Sequence, residues 1–159
     1  MIPIVYTYNE LKVFINEHLH KLALTSGRMG LDKSNVAEIM VMIAAHESKA
    51  GEYRVQFEGG PARGLYQMEK ETHDSIWDNS DIIKDVAKRC GYVQNFDLVE
   101  NDDGYSTFMA RMYIAMDPNP APAYPNFQSM AKYCKKYWNR TGSATWQKYN
   151  DDYFKLRGY

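Results

Sequence analysis

The sequence predicts a mainly α fold of the α+β type, with about seven helices around a buried central helix and a small irregular β-hairpin. Apolar residues recur at helical spacing along most of the 159-residue chain. Residues 36–45 contain Glu38 as their only polar side chain, which is typical of a helix enclosed on all sides. Glycine and proline then cluster at 59–64 and favour tight turns between short extended pieces. The length suits one domain over residues 1–159.

Each predicted helix rests on apolar spacing, together with a cap or a breaker where one is present. Asp32 or Ser34 is the expected cap of the buried helix, which ends in the tripeptide His46-Glu47-Ser48. Gly91 stops the fourth helix, and the proline-rich segment 117–122 separates the fifth helix from the last two. The seven helices are predicted over residues 9–24, 36–45, 71–77, 81–90, 105–116, 127–138 and 144–156.

Composition and charge exclude several classes of protein. Apolar residues make up 45% and charged residues 25%, which is ordinary for a soluble globular protein and excludes an intrinsically disordered chain. The net charge of −1 argues against a polyanionic partner, although residues 131–159 carry seven basic side chains. Nucleic-acid binding through Lys132 and Lys136 is a minor alternative, because the aromatic side chains next to them are expected to pack inward. We therefore predict no nucleic-acid partner.

The sequence also bears on export, membrane insertion and disulfide bonding. The N-terminal residues have neither a basic region nor a long apolar stretch, so we expect synthesis in the cytoplasm without a signal peptide. The longest apolar run, 39–45, is too short to span a membrane. Cys90 and Cys134 lie on apolar faces of predicted helices and are expected to be buried free thiols, with one disulfide left open.

Motifs for metals and nucleotides are missing. His46-Glu47 begins like the zinc-protease motif H-E-x-x-H, but Ala50 stands at the fifth position. The glycines at 59–64 do not have the spacing of a dinucleotide-binding loop. We therefore predict neither a metal nor a cofactor.

Three carboxylates remain as candidates for chemistry. Glu47 closes the buried helix, Glu58 precedes a Gly-Gly turn, and Glu69 follows the segment 64–68. A carboxyl group desolvated by an apolar helix end has a raised pKa and can donate a proton near neutral pH, while a more solvated carboxylate serves as base. Cleavage of a glycosidic bond needs such a pair. Surface glutamates beside turns are the alternative interpretation.

Two short motifs occur in order around these carboxylates. Glu47-Ser48 with Ala50-Gly51 matches the goose-type pattern Glu-Ser-x-Ala-Gly. Residues 64–68, Gly-Leu-Tyr-Gln-Met, stand where the families carry Gly-Leu-Met-Gln-[Ile/Val] and share its Gly, Leu and Gln. Over residues 44–73 the chain thus resembles the active-site region of the lysozyme superfamily, in particular goose-type lysozymes and soluble lytic transglycosylases. The last third is similar, more loosely, to bacteriophage muramidase domains.

This resemblance implies a single lysozyme-like catalytic domain in which the hairpin forms one wall of a glycan cleft. Glu47 would be the general acid, and Glu58 and Glu69 would be candidates for holding a water. Both stand where goose-type enzymes have aspartate. The site residues implied are catalytic Glu47, Glu58 and Glu69, and substrate-binding Gly64, Tyr66, Gln67 and His73.

The activity implied is that of a peptidoglycan-degrading muramidase, which cleaves the β-1,4 bond between N-acetylmuramic acid and N-acetylglucosamine. Inverting hydrolysis is favoured. Ala62 stands where hen-type lysozymes carry a second Asp, and the Ala-Tyr-Asn-x-Gly motif of many transglycosylases is missing, since Tyr149-Asn150 is followed by Asp151. A lytic transglycosylase giving 1,6-anhydromuramic products and a catalytically silent virion or glycan-binding protein are the alternatives. A phage endolysin or virion component acting on the bacterial cell wall, with other virion proteins as further partners, is the expected context.

Overall fold

Seven α-helices make up most of residues 4–159, the part of the chain that this computed structural model describes. The prediction of a mainly α fold with about seven helices is confirmed. Residues 1–3 lie outside the described residues. They belong to the N-terminal stretch from which we predict that there is no signal peptide. The helices are α1 (Tyr8–Ser26), α2 (Ser34–Glu47), α3 (Lys70–Asn79), α4 (Ile83–Cys90), α5 (Asp103–Ala115), α6 (Phe127–Tyr133) and α7 (Trp146–Arg157).

Helix α2 is the buried central helix. Every residue from Val36 to Ala45 is buried, and α2 packs mainly against α1 and α7. Its one polar side chain within that stretch, Glu38, accepts hydrogen bonds from the hydroxyls of Tyr8 and Tyr153. A buried carboxylate needs such donors, because an unpaired one is costly to desolvate.

The predicted β-hairpin after α2 is not supported. The chain between α2 and α3, residues 48–69, is an irregular segment. Within residues 4–159 this segment has only two isolated bridges, Val55 with Arg63 and Arg63 with Met68, beside a 3₁₀ turn over Phe57–Gly59. The chain repeatedly enters the left-handed region here, at Glu58 and Gln67 as well as at glycines, and each such residue bends the backbone. No ladder therefore extends beyond one residue pair.

The buried side chain of Arg54 ties this irregular segment to the helices. Its Nη2 donates to Oδ2 of Asp103 at 2.9 Å, and the same nitrogen donates to the carbonyl of Ile4 at 2.7 Å. Gly64 lies so close to a neighbouring chain segment that a Cβ there would stand 2.1 Å from the carbonyl oxygen of Val99. These contacts hold the segment against the start of α5.

The predicted helix 127–138 is divided in two. Its first half is α6, and its second half is one π-helical turn over Cys134–Trp138. Both cysteines are free thiols, with Cys134 buried and Cys90 half-buried. No helix within residues 4–159 combines the length and the apolar character that crossing a membrane requires.

Candidate active site

A cleft of about 510 Å³ opens at the C-terminal end of α2. Glu47, the last residue of α2, lies in this cleft. The irregular segment lines it with side chains that include Tyr53 and Gln67, and the π-turn and the loop after it line it from Trp138 to Gly142. The cleft thus combines a carboxyl group with aromatic and amide side chains, a composition that suits a polar ligand with apolar faces.

Burial raises the pKa of Glu47 to about 7. Its Oε2 accepts a hydrogen bond from the hydroxyl of Tyr149, and the positive charge of Lys49 lies nearby. Both partners favour the ionised form and lower the pKa, but desolvation outweighs them. Within residues 4–159, Oε1 has no hydrogen-bond partner, so this oxygen is available to a ligand in the cleft.

The serine after Glu47 links the two sequence motifs. The hydroxyl of Ser48 donates to the carbonyl of Leu65 at 2.6 Å and accepts the N–H of Gly51 at 2.9 Å. Ser48 is fully buried, so these bonds are shielded from water. The Ser48 side chain therefore joins the Glu-Ser motif to the Gly-Leu-x-Gln motif.

Gln67 lines the cleft and also braces its wall. Its Nε2 donates to the carbonyls of Tyr53, Arg54 and Gly64 at 3.0–3.2 Å. The backbone of Gln67 is left-handed, with φ 51°. The amide nitrogen is thus committed to the protein, and the amide oxygen is the atom left for a ligand.

The two other predicted catalytic carboxylates differ in position. Glu69 lines the cleft at the residue before α3 and is exposed. Glu58 lies in the 3₁₀ turn with φ 61° and is also exposed, but it is not among the residues that line the cleft. Its neighbour Phe57 takes that place, with 77% of its surface exposed. The structure therefore brings Glu47 and Glu69 to one cleft and leaves Glu58 outside it.

Three predicted substrate-binding residues are buried and do not reach the cleft surface. Tyr66 is 1% exposed and its hydroxyl bonds to Thr107 at 2.8 Å. His73 is fully buried, with Nε2 2.7 Å from the Tyr105 hydroxyl, and burial lowers its pKa. Gly64 is buried and its carbonyl accepts from the Gln67 side chain. None of the three lines the cleft. Gly64 and Tyr66 support its wall through their carbonyls, which bind the side chains of Gln67 and Trp138.

Sequence reasoning missed Tyr149 and the residues that hold it. The ring of His46 packs on that of Tyr149 with centroids 4.0 Å apart, and His46 Nδ1 lies 2.7 Å from Oδ2 of Asp152. Lys49 donates to the same oxygen at 2.8 Å. The dipeptide Tyr149-Asn150 was the available signal, but without the glycine of the motif it gave no reason to place Tyr149 beside Glu47.

Trp138 was also not predicted as a site residue. Its indole N–H donates to the carbonyl of Tyr66 at 3.2 Å, which fixes the ring at the edge of the cleft. The π-turn that ends at Trp138 sets its direction, and such turns are frequent at functional sites. Periodicity in the sequence predicts a regular helix there and does not reveal the turn.

Comparison of the chain with protein-family models, with curated proteins and with solved structures finds no match. The resemblance to the lysozyme superfamily therefore stays a prediction. Among residues 4–159, no three His, Cys, Asp or Glu side chains are grouped so that they could hold a metal ion.

Proposed function

We propose that this protein is a peptidoglycan-cleaving muramidase of the lysozyme superfamily, with Glu47 as its general acid. The observation that carries the proposal is the desolvated carboxyl of Glu47, which opens onto the cleft with a pKa of about 7. An acid with this pKa is substantially protonated at neutral pH, and its conjugate base is still strong enough to take part in proton transfer. The same environment is what general-acid glycosidases give their proton donor.

The proton is delivered from the free oxygen of Glu47. Tyr149 occupies Oε2, so Oε1 faces the ligand and protonates the glycosidic oxygen as the bond to the anomeric carbon breaks. The cleft is lined by aromatic side chains, Tyr53, Phe57 and Trp138, which can pack against the apolar faces of sugar rings. Asn139 and the Gln67 amide oxygen supply hydrogen-bonding groups for hydroxyl and acetamido substituents.

Inverting hydrolysis is a single displacement, and it assigns the role of general base to Glu69. As an exposed carboxylate in the same cleft, it would activate a water for attack on the anomeric carbon from the face opposite Glu47. The two carboxyl groups of such a pair stand roughly 6.5–9.5 Å apart, which leaves room for that water. Glu69 alone would activate this water, because Glu58 lies outside the cleft.

Lytic transglycosylation is the second candidate, and the position of Glu58 favours it. With one of the two predicted water-holding carboxylates outside the cleft, Glu47 could act alone, first as acid and then as base on the muramic 6-hydroxyl. The product would be a 1,6-anhydro sugar in place of a reducing end. In either case we propose that the enzyme acts on bacterial cell walls as a phage endolysin or a virion component.

The experiment is digestion of purified peptidoglycan, followed by mass spectrometry of the released muropeptides. Wild type should release them, and Glu47→Gln should release almost none, since general-acid catalysis contributes about 10²–10⁴-fold. Glu71→Gln, an exposed carboxylate on α3, is the matched control and should remain active. An inactive wild type would favour a catalytically silent glycan-binding protein, and an active Glu47→Gln would remove Glu47 from the mechanism.

A further inference from the structure

A second pocket, of about 210 Å³, shares no lining residue with the cleft. It lies where the start of α2 meets the end of α5 and the proline-rich segment 117–122. Its lining includes two basic side chains, Lys33 and Arg111, together with Asn35 and Tyr133. The volume suits a small molecule or the end of a chain and is too small for a glycan strand.

Arg111 is a buried cation; Asp32 lies near enough to stabilise its charge but is not in ion-pair contact with it. It is 7% exposed, and Nε donates to the carbonyl of Leu31 at 2.8 Å and Nη2 to that of Gly30 at 3.2 Å. Within residues 4–159 it forms no ion pair, and Nη1 has no hydrogen-bond partner. Arg54, another buried arginine, is instead paired with Asp103. A guanidinium has five N–H donors, so several on Arg111 remain unused.

Burying a cation is costly unless an anion compensates it. The unused N–H groups of Arg111 form part of a planar fork that matches the two oxygens of a carboxylate. The unused N–H groups of Arg111 therefore give this pocket a geometry that would bind a carboxylate.

Tyr133 supplies an independent observation. Its hydroxyl oxygen is enclosed and has no hydrogen-bond partner among the described residues, although buried hydroxyls almost always have one. Asp117 also lines the pocket, and its Oδ1 accepts the backbone N–H of Asn119 at 3.0 Å. Among the lining residues, Lys33 and Arg111 stand against this one carboxylate, and the nearby Asp32 partly offsets the positive charge that results. That balance favours a monoanion over a dianion such as phosphate.

We propose that this pocket binds a monoanionic carboxylate, with Arg111 as the fork that holds its two oxygens, Tyr133 as a further donor and Lys33 as a flanking charge. The carboxylate belongs either to a free small acid or to the C-terminus of a peptide. The proposal is independent of the activity assigned to the cleft.

The test is a titration followed by ¹H–¹⁵N NMR, which observes the Nε–H of Arg111 directly. Sodium acetate represents the free acid, and N-acetyl-Ala-Ala represents the peptide terminus. The amide of that dipeptide and sodium chloride at the same ionic strength are the controls. We expect saturable shifts with at least one of the two carboxylates and none with the amide or chloride. The carboxylate that binds with the lower Kd shows whether the pocket takes a free acid or a peptide C-terminus.

Variants separate a built site from general charge attraction. Arg111→Gln should weaken binding about tenfold or more, since hydrogen bonds to charged groups are lost. Arg111→Gln also removes the bonds to Gly30 and Leu31, so a folding defect would obscure its effect on binding. Lys33→Met changes an exposed position, is free of that problem, and should weaken binding about threefold. Lys88→Met, an exposed lysine on α4, should leave the affinity unchanged. The proposal would be overturned by shifts that do not saturate or that chloride reproduces. Equal effects of Lys33→Met and Lys88→Met on the affinity would also overturn it.

Discussion

The hydroxyl of Tyr149 donates a hydrogen bond to Oε2 of Glu47, joining α7 to the end of α2 across 102 positions in sequence. This bond fixes the direction of the carboxyl and lowers its pKa against the effect of burial. Tyr149 is itself fully buried and packs on His46, whose ring nitrogen is bound to Asp152. The general acid proposed for the cleft is therefore positioned by the C-terminal helix.

Replacing Tyr149 by phenylalanine should change the pH profile as well as the rate. Under the proposed mechanism, activity requires protonated Glu47 and is lost as the pH rises through its pKa of about 7. Because the Tyr149 bond lowers that pKa, its loss should move the alkaline limb of activity to higher pH and reduce kcat about tenfold. Tyr92→Phe, whose hydroxyl bonds to His18, is the control and should leave the limb in place. An equal loss of rate at every pH would instead indicate a purely structural role.

Glu47→Gln should stabilise the fold at alkaline pH. The pKa of Glu47 rises from 4.5 in the unfolded chain to about 7, so the folded state holds the proton more tightly. The free energy of unfolding of wild type therefore falls as the pH rises from about 4.5 to 7, by up to about 3 kcal/mol. Glutamine does not titrate and avoids this loss.

Urea unfolding of wild type and Glu47→Gln at pH 4 and pH 8 measures the effect. The two should be nearly equal at pH 4, and the variant should be more stable at pH 8. Glu69→Gln, which changes an exposed carboxylate, should differ little from wild type at either pH. Equal stability of wild type and Glu47→Gln at pH 8 would mean that the carboxyl is not desolvated.

Much of the helical fold follows from local sequence patterns. The seven helices are predictable because apolar periodicity and caps act over a few residues, and α2 stands out because its apolar residues surround the whole helix. The predicted hairpin is wrong because Glu58 and Gln67 adopt left-handed backbone conformations that interrupt the strand pairing. Neither residue is a glycine, so the sequence does not indicate these bends. Glu47 could be predicted from its place at the end of α2. Tyr149 could not, because its contact with Glu47 depends on how distant helices pack.

Gln67→Ala should destabilise the protein more than a typical surface substitution. It removes the donor to three backbone carbonyls that hold the wall of the cleft, and we expect a loss of about 1–2 kcal/mol. Thermal melting reports this loss, and binding of a chitooligosaccharide reports the role in the cleft. Gln94→Ala, an exposed glutamine, is the control. An unchanged melting temperature would show that the bracing bonds contribute little to stability.

Lys135→Met should loosen the opposite wall of the cleft. The ammonium of Lys135 donates to the carbonyls of Asn139 and Gly142, which closes the loop that lines the cleft after Trp138. Without this clamp we expect KM for peptidoglycan to rise about threefold with kcat little changed. Lys136→Met changes the charge equally at the next, exposed position and should have a smaller effect. Equal changes in KM for both variants would indicate long-range charge attraction.

Single substitutions of Glu58 and Glu69 separate hydrolysis from transglycosylation. Both side chains are exposed glutamates in the same irregular segment, but only Glu69 lines the cleft that contains Glu47. Under inverting hydrolysis, Glu69→Gln removes the base that activates water, and the rate should fall about 10²-fold or more. Glu58→Gln carries the same change of charge and should keep nearly full activity.

The products report the same distinction on wild type. Hydrolysis leaves reducing muramic ends, whereas transglycosylation leaves 1,6-anhydro ends that are lighter by one water. If Glu69→Gln stays active and anhydro ends dominate, no second carboxylate is needed, and Glu47 must serve as both acid and base. The pKa of Glu47, about 7, is compatible with both duties, because a group at this pKa gives and takes a proton with similar ease at neutral pH. Loss of activity in Glu58→Gln alone would contradict both routes, since it would require that turn to close over the cleft.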